Sequence, residues 1–302
     1  MRKAFSQEIE KYAKIHKDVI FLTADLGFHA LENIRSAIGN RFINVGIGEQ
    51  NMMSLAAGLA SQGYTPICYS IAPFAVFRPA EQIRIDICLH NLNVKIVGNG
   101  GGYGYGIMGA THHAIEDIAL MSSLQNMRCY IPYCKEDISD ITKKMLADNG
   151  PGYLRLGIGN RPSSLTFQKY HSIKKICSGG KITLIALGPI ALNAYEAVHL
   201  LGEKNSVDLF VISELPLTTI EEQLKRSIKK TGNVLIIEEH VQRGGLAEHL
   251  ALLILKEGVT CTVANLSSQG YPGGKYGSQA YHQRENGLDP DSIAQRLQEL
   301  TR

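Results

Sequence analysis

The sequence has no run of 18 apolar residues, so it offers no membrane-spanning helix. Its first 18 positions, MRKAFSQEIEKYAKIHKD, read as an amphipathic helix without the apolar core of a secretion signal, and a cytoplasmic protein is expected. Neither sign of charge dominates. Its 31 lysines and arginines face 28 acids, a net +3 with both signs interspersed, which makes no case for nucleic acid or an anionic membrane as partner. The six cysteines (Cys68, Cys88, Cys129, Cys134, Cys177, Cys261) include no CxxC pair and no histidine partner at zinc-finger spacing, so neither disulfides nor a structural metal are expected. Short repeats and low-complexity tracts are also missing.

What the chain does have is apolar residue, 44% of the whole against 20% charged, enough for full cores, and a length of 302 that suggests about two domains of ordinary size. Short β-rich segments at 19–24, 42–45, 65–70, 94–98, 128–131 and 153–156 alternate with helical patterns at about 30–38, 49–62, 78–91, 113–123 and 135–148. Such alternation predicts βαβ units and a mostly parallel sheet with helices on both faces. At 161–178 glycine, proline, serine and lysine appear with little periodicity, which predicts a linker. A second series follows, with strands at 182–187, 207–212, 234–237 and 260–266 and helices at 189–202, 218–230, 245–257 and 291–300. The expected fold class is α/β, as two consecutive parallel-sheet α/β domains, 1–160 and a smaller 179–302.

One stretch organises the first domain: RFINVGIGEQNMMSLAAG at 41–58, a short strand, a glycine turn and an apolar helix. Glu49 stands at the strand-to-helix junction. It reads either as a helix-start acid set against the macrodipole or as a catalytic acid near apolar walls that would raise its pKa. Helix-start acids are common, so on these residues alone the first reading leads. Farther on, GNGGGYGYGIMGATHH at 98–113 formally contains GxGxxG at Gly104, Gly106 and Gly109. A dinucleotide turn has its strand ending just before the first glycine, whereas here a loop of roughly 14 residues separates strand from helix, which argues against that ligand. A long glycine loop at the carboxyl end of a parallel strand is still a binding element to expect. His112 and His113 are expected to open the next helix, where the dipole favours a neutral imidazole, and at most one of two adjacent histidines faces a site. Phe74 and Phe77 in SIAPFAVFRPAEQIR read first as core packing beside a proline, and second as a stacking platform for a flat heteroaromatic cofactor.

Taken in order, RxxNxGIxEQNM, then S-x3-F-x3-R-x2-EQIR, then a glycine loop ending G-A-T-H, and finally EEHxxxGG at Glu238, Glu239, His240, Gly244 and Gly245, the chain resembles the transketolase family, whose enzymes depend on thiamine diphosphate. The likeness runs over essentially the whole chain and corresponds to the pyrimidine-binding domain followed by the carboxyl-terminal domain. In this family a separate domain with a GDG motif and a later asparagine holds the diphosphate and its Mg2+, and no GDG occurs here. The resemblance therefore implies half an active site, completed by an N-terminal transketolase-like subunit, with a heterotetramer as the expected assembly.

Residue roles follow from the same likeness. Glu49 matches the glutamate that hydrogen-bonds the aminopyrimidine ring and promotes its imino tautomer. Phe74, with one residue of insertion allowed, matches the aromatic stacked on the pyrimidine, and Phe77 is the fallback. Arg78 and Asp25, in TADL, are assigned to the cofactor. His112 matches the histidine that contacts the reacting substrate oxygen, with His113 and His29 assigned to the substrate and Arg2 matching a sugar-phosphate contact. The departures lie on the substrate side. Family positions for a hydroxyl-reading acid, an early-loop histidine and an arginine hold Met108, Gly100 and Ile158 here, with Arg161 as a possible replacement for the arginine. Losing two charged phosphate donors forgoes hydrogen bonds worth about 1.5–3 kcal/mol each, so an atypical sugar, with less phosphate or nucleotide-linked, is expected. The alternative enzyme reading is the E1 β-like subunit of a 2-oxo acid (pyruvate) decarboxylating acyl transferase. A binding subunit with a decayed site and a nicotinamide-binding protein complete the set.

Overall fold

A computed structural model describes residues 1–27, 30–202 and 207–301. The first sheet is built from Val19–Thr23 (β1), Phe42–Asn44 (β2), Thr65–Ile71 (β3), Lys95–Asn99 (β4), Arg128–Tyr130 (β5) and Gly152–Leu156 (β6). The second uses Ile173–Cys177 (β7), Ile182–Leu187 (β8), Val207–Ile212 (β9), Asn233–Val241 and Thr262–Ser268, with Glu214–Leu215 (β10) falling between β9 and the last two strands, which are therefore β11 and β12. Their orders are β10-β5-β6-β4-β3-β1-β2 and β12-β11-β8-β9-β7. All pairings are parallel except β10 on β5 and β7 on β9. Two parallel-sheet α/β units thus stand where the alternation predicts them.

The central strands are buried along nearly their whole length and mostly apolar because helices cover both faces. Alternate side chains of one strand enter opposite cores: Phe21, Ile67, Tyr69 and Val97 pack with Phe5 and Ile9 of the helix Arg2–Ile15, while Leu22, Cys68 and Ile96 pack with Met52 and Met53 of the helix Glu49–Ser61. Cys68, Cys88, Cys129 and Cys134 are buried among such groups as small apolar side chains. Among the described residues, no helix is long and apolar enough to cross a membrane.

Several expectations need correction. The segment 161–178 is not wholly a linker, since Ile173–Cys177 is an edge strand of the second sheet. Its lysines disguise it: Lys174 is buried, with its ammonium 2.7 Å from the equally buried Asp137 and 4.7 Å from the Tyr133 ring centre. Lysine normally signals solvent, and a buried, paired lysine is the exception that sequence texture misses. β10, in the second half of the chain, pairs with β5 of the first sheet and so fastens the halves together. The helix expected at 78–91 runs from Ala80 to Leu89 and is π-helical from Ile83, while a separate short helix, Ala72–Val76, precedes it, with Pro79 between the two where it cannot donate a backbone hydrogen bond. A helix at Gln279–Glu285 is additional.

The EEH signature lies at the carboxyl end of β11. Glu238 is fully buried and accepts the backbone N–H groups of Leu246 (2.6 Å) and Ala247 (3.1 Å), capping the helix Leu246–Lys256. A side chain on Gly245 would stand 2.4 Å from that carboxylate, hence the glycine. Burial pushes the Glu238 carboxyl up from 4.5 to about 7. The folded chain therefore holds a proton that the unfolded chain has released, and this contribution to stability is full below pH 4.5 and disappears as pH rises through 7. Melting temperature measured from pH 4.5 to 7.5 is expected to fall less steeply in Glu238→Gln than in the parent, whereas parallel curves would contradict the shift.

Candidate active site

The first sheet changes direction at β1: β2 lies on one side of it and β3, β4 and β6 on the other. Ligands of parallel sheets bind beyond the carboxyl ends of the strands at such a reversal. Asp25 follows β1, Glu49 follows β2, Phe74 and Arg78 follow β3, and the loop carrying His112 follows β4.

Glu49 opens its helix and is only 2% exposed. The catalytic reading expects apolar walls, but both carboxylate oxygens have polar partners. Ser70 at the end of β3 donates to Oε1 (3.2 Å) and Arg78 donates to Oε2 (2.8 Å). The Arg78 guanidinium also lies over the Phe74 ring, 3.6 Å from its centre, and Phe74 meets His112 edge-on at 5.2 Å. One continuous group results: carboxylate, planar cation, aromatic face, imidazole. Phe77 is 40% exposed and is not the ring brought against Glu49.

His112 and His113 do not open a helix, because the next helix begins at Asp117. The intervening backbone is consumed instead by a bridge between Gly102 and Ala114 that closes the glycine loop on itself. His112 is half-buried, with Nδ1 2.9 Å from Thr111 Oγ1, which leaves Nε2 as its other proton site. His113 is buried and turned to the protein: its ring nitrogens meet Tyr271 Oη (3.0 Å) and the Gly106 carbonyl (2.7 Å), and burial lowers its pKa. The two histidines therefore have separate surroundings.

The other assigned residues scatter around this group. Asp25 exchanges two hydrogen bonds with Asn44, backbone N–H to Oδ1 (2.9 Å) and Nδ2 to Asp25 Oδ1 (3.0 Å), bracing the ends of β1 and β2. It lines a cavity of about 190 Å³ with Thr23, Arg35, Phe42 and Asn44. Arg2 lies near the Tyr69 phenol, where its charge works against the upward push of burial on that group. Met108 is 53% exposed on the loop. Arg161 is engaged elsewhere, donating to the Leu165 carbonyl and lying 3.5 Å from Glu136, so it is not free to replace the arginine missing at Ile158. His29 lies outside the described residues.

Ser70, Asn99 and Tyr105 escaped the sequence reading. Gly100 explains Tyr105: it has φ +79°, and a Cβ there would stand 2.1 Å from the Tyr105 ring. A histidine at position 100 and the tyrosine at 105 exclude one another in this backbone. Tyr105 fills that space, accepts a hydrogen bond from Asn99 Nδ2 (2.8 Å), and its ring lies 5.8 Å from His112. The Gly100 departure, visible in the sequence, was the available signal.

The group fits the pyrimidine end of thiamine diphosphate. A flat aminopyrimidine needs an in-plane carboxylate and an aromatic face, and Arg78, itself planar and rich in N–H donors, already engages both Glu49 and Phe74 at those distances.

The family comparisons cover both domains. Residues 1–162 match the transketolase pyrimidine-binding domain and residues 171–293 the transketolase C-terminal domain. An apulose-4-phosphate transketolase subunit from Actinobacillus succinogenes is 32% identical over 262 residues, 84% of this chain and 83% of that one. The 6-deoxy-6-sulfo-D-fructose transketolase subunit of Clostridium sp. strain MSTE9 is 29% identical over 83% of this chain and 79% of its own. A solved split-gene transketolase, an inactive β4 tetramer, superposes with a TM-score of 0.86 at 30% identity, covering 99% of this chain and 97% of that one. The chain belongs to the transketolase family, as a subunit with the pyrimidine-binding and C-terminal domains of a thiamine diphosphate-dependent transferase.

Proposed function

We propose that this chain supplies the proton-handling and substrate-facing half of a two-component transketolase-like enzyme, which moves a two-carbon ketol unit between sugar-type substrates. The carrying observation is the Glu49–Arg78–Phe74–His112 group at the carboxyl ends of β2 to β4. Bound thiamine diphosphate supplies the carbanion chemistry. Glu49 holds a proton against the aminopyrimidine, with Ser70 fixing the carboxylate orientation, and Phe74 offers its face to the ring. His112, through Nε2, exchanges a proton with the reacting substrate oxygen, its ring held by Thr111 at Nδ1. Asn99 and Tyr105 present neutral polar groups beside it, where the family's ordinary loop carries a histidine.

The diphosphate and its Mg2+ are assigned to a partner subunit with a GDG motif, which this sequence lacks. The inactivity of the homologous β4 tetramer supports the need for that partner, and a heterotetramer in the cytoplasm is the assembly we favour. Both subunit relatives are named for transketolases rather than for 2-oxo acid decarboxylation, and their names carry an anionic sugar, one phosphate and one sulfonate. A ketose with a terminal anion is accordingly the donor class to try first, with Arg2 as the candidate contact.

Calorimetric titration of thiamine diphosphate with Mg2+ is expected to show binding to the chain mixed with a GDG-bearing partner, and no saturable binding to either alone. Transfer from apulose 4-phosphate to an aldose should follow in the mixture only. Carbon dioxide release from pyruvate, with no reaction of ketoses, would overturn the reading in favour of 2-oxo acid chemistry.

A further inference from the structure

The loop that carries His112 leaves the first sheet, yet its footing lies in the second domain. Tyr103 is fully buried although it sits among five glycines within seven residues, GGGYGYG being the local sequence. Its backbone N–H donates to Glu239 Oε1 (2.7 Å), its hydroxyl bonds to Ser268 Oγ and to the Gly270 carbonyl (2.7 Å), and its ring stacks on His282 at 4.8 Å and 16°. Glu239, Ser268, Gly270 and His282 all belong to the second domain.

Glu239 is itself held: Gln279 donates to both carboxylate oxygens and Gln283 to Oε2. Neighbouring Gly102 has φ +65°, and a Cβ there would lie 2.1 Å from Glu239 Oε1, so the loop comes against the carboxylate as closely as backbone can. At the other end of the loop Arg155 donates to the Ala114 carbonyl (2.7 Å) and to the Glu239 carbonyl (3.1 Å), joining loop and second domain again. Between these anchors the apex is tied down by His113, through Gly106 and Tyr271 of the second domain. The segment 104–112 has few side chains of its own to fix it, and its six-residue span from Gly104 to Gly109 contains three glycines. Its conformation is therefore imposed from outside.

We infer that Tyr103 and Glu239 are positioning residues, through which the second domain fixes the glycine loop and so the place of His112 over the substrate. The inference rests on the assignment of His112 above. It gives the carboxyl-terminal domain a part in the chemistry that runs through His112, and it gives the second acid of the EEH signature a task distinct from that of Glu238, which caps a helix of its own domain.

The contact can be cut from either side. Tyr103→Phe removes only the hydroxyl, and Ser268→Ala removes its partner across the domain boundary. In the isolated full chain, amide hydrogen exchange at 104–112 is expected to quicken roughly 3- to 10-fold in both variants, the loss of one buried hydrogen bond, while β4 is unchanged. With the GDG-bearing partner and apulose 4-phosphate as donor, kcat is expected to fall by a similar factor, with thiamine diphosphate affinity and KM little altered. Exchange at 104–112 equal to the parent's in both variants overturns the inference whatever the enzyme does. Faster exchange with unchanged kcat also overturns it, provided His112→Ala is impaired. If His112→Ala turns over normally, the histidine's assignment fails instead, and this positioning role falls with it.

Discussion

Replacing Glu49 with glutamine, in the chain assembled with a GDG-bearing partner, is expected to lower ketol transfer by roughly 10²- to 10⁴-fold, the usual yield of a positioned acid or base. Glutamine keeps the volume, its carbonyl oxygen can still accept from Arg78 and its amide can donate to the Ser70 hydroxyl, in place of the bonds of 2.8 and 3.2 Å to the carboxylate. What it cannot do is take up and return a proton. The loss should therefore sit in kcat, and thiamine diphosphate affinity should change far less than turnover. Turnover within a few-fold of the parent would falsify the role of Glu49. A variant that no longer binds cofactor would assign the residue to binding rather than to proton handling.

The second large effect concerns stability. Arg155 and Asp117 form an ion pair of 2.9 Å whose side chains are 5% and 0% exposed, and Tyr153 donates to the same Asp117 oxygen at 2.6 Å. The other oxygen of Asp117 has no described partner. Arg155→Met leaves a buried carboxylate without its cation, which costs about 3–5 kcal/mol and lowers the melting temperature by on the order of 10 °C. Because the same guanidinium holds Ala114 and Glu239, the glycine loop should loosen along with the seam between domains. Adding Asp117→Asn removes the stranded charge, so the double variant is expected to melt above the single one. A single variant that melts within about 2 °C of the parent, or a double variant that melts lower still, contradicts this account.

Burial explains which side chains mislead a reader of the sequence. Lys174 looks like solvent-facing linker and is instead the buried partner of Asp137 in an edge strand. His113 looks like a twin of His112 and is instead enclosed between Gly106 and Tyr271. In both cases a polar residue is buried because a partner distant in sequence satisfies it, and no local pattern announces that partner.

Much was nevertheless legible from order alone. Periodicity determined the two parallel-sheet α/β units, since a strand covered on both faces is largely apolar and a crossover helix follows it. The ordered motifs RxxNxGIxEQNM, the S-x3-F segment, the glycine loop and EEHxxxGG carried the resemblance to the family. By the same resemblance, the missing GDG motif implied a partner subunit. Tertiary structure alone decided how those pieces meet: that Arg78 links Glu49 to Phe74, that Tyr105 occupies the space a histidine at position 100 would need, and that Glu239 reaches Tyr103 across 136 positions of chain. Sequence patterns report the period with which a side chain faces a core or solvent. They carry no record of which distant backbone will supply its hydrogen bond, and in this protein those distant bonds hold the glycine loop, and His112 with it, in place.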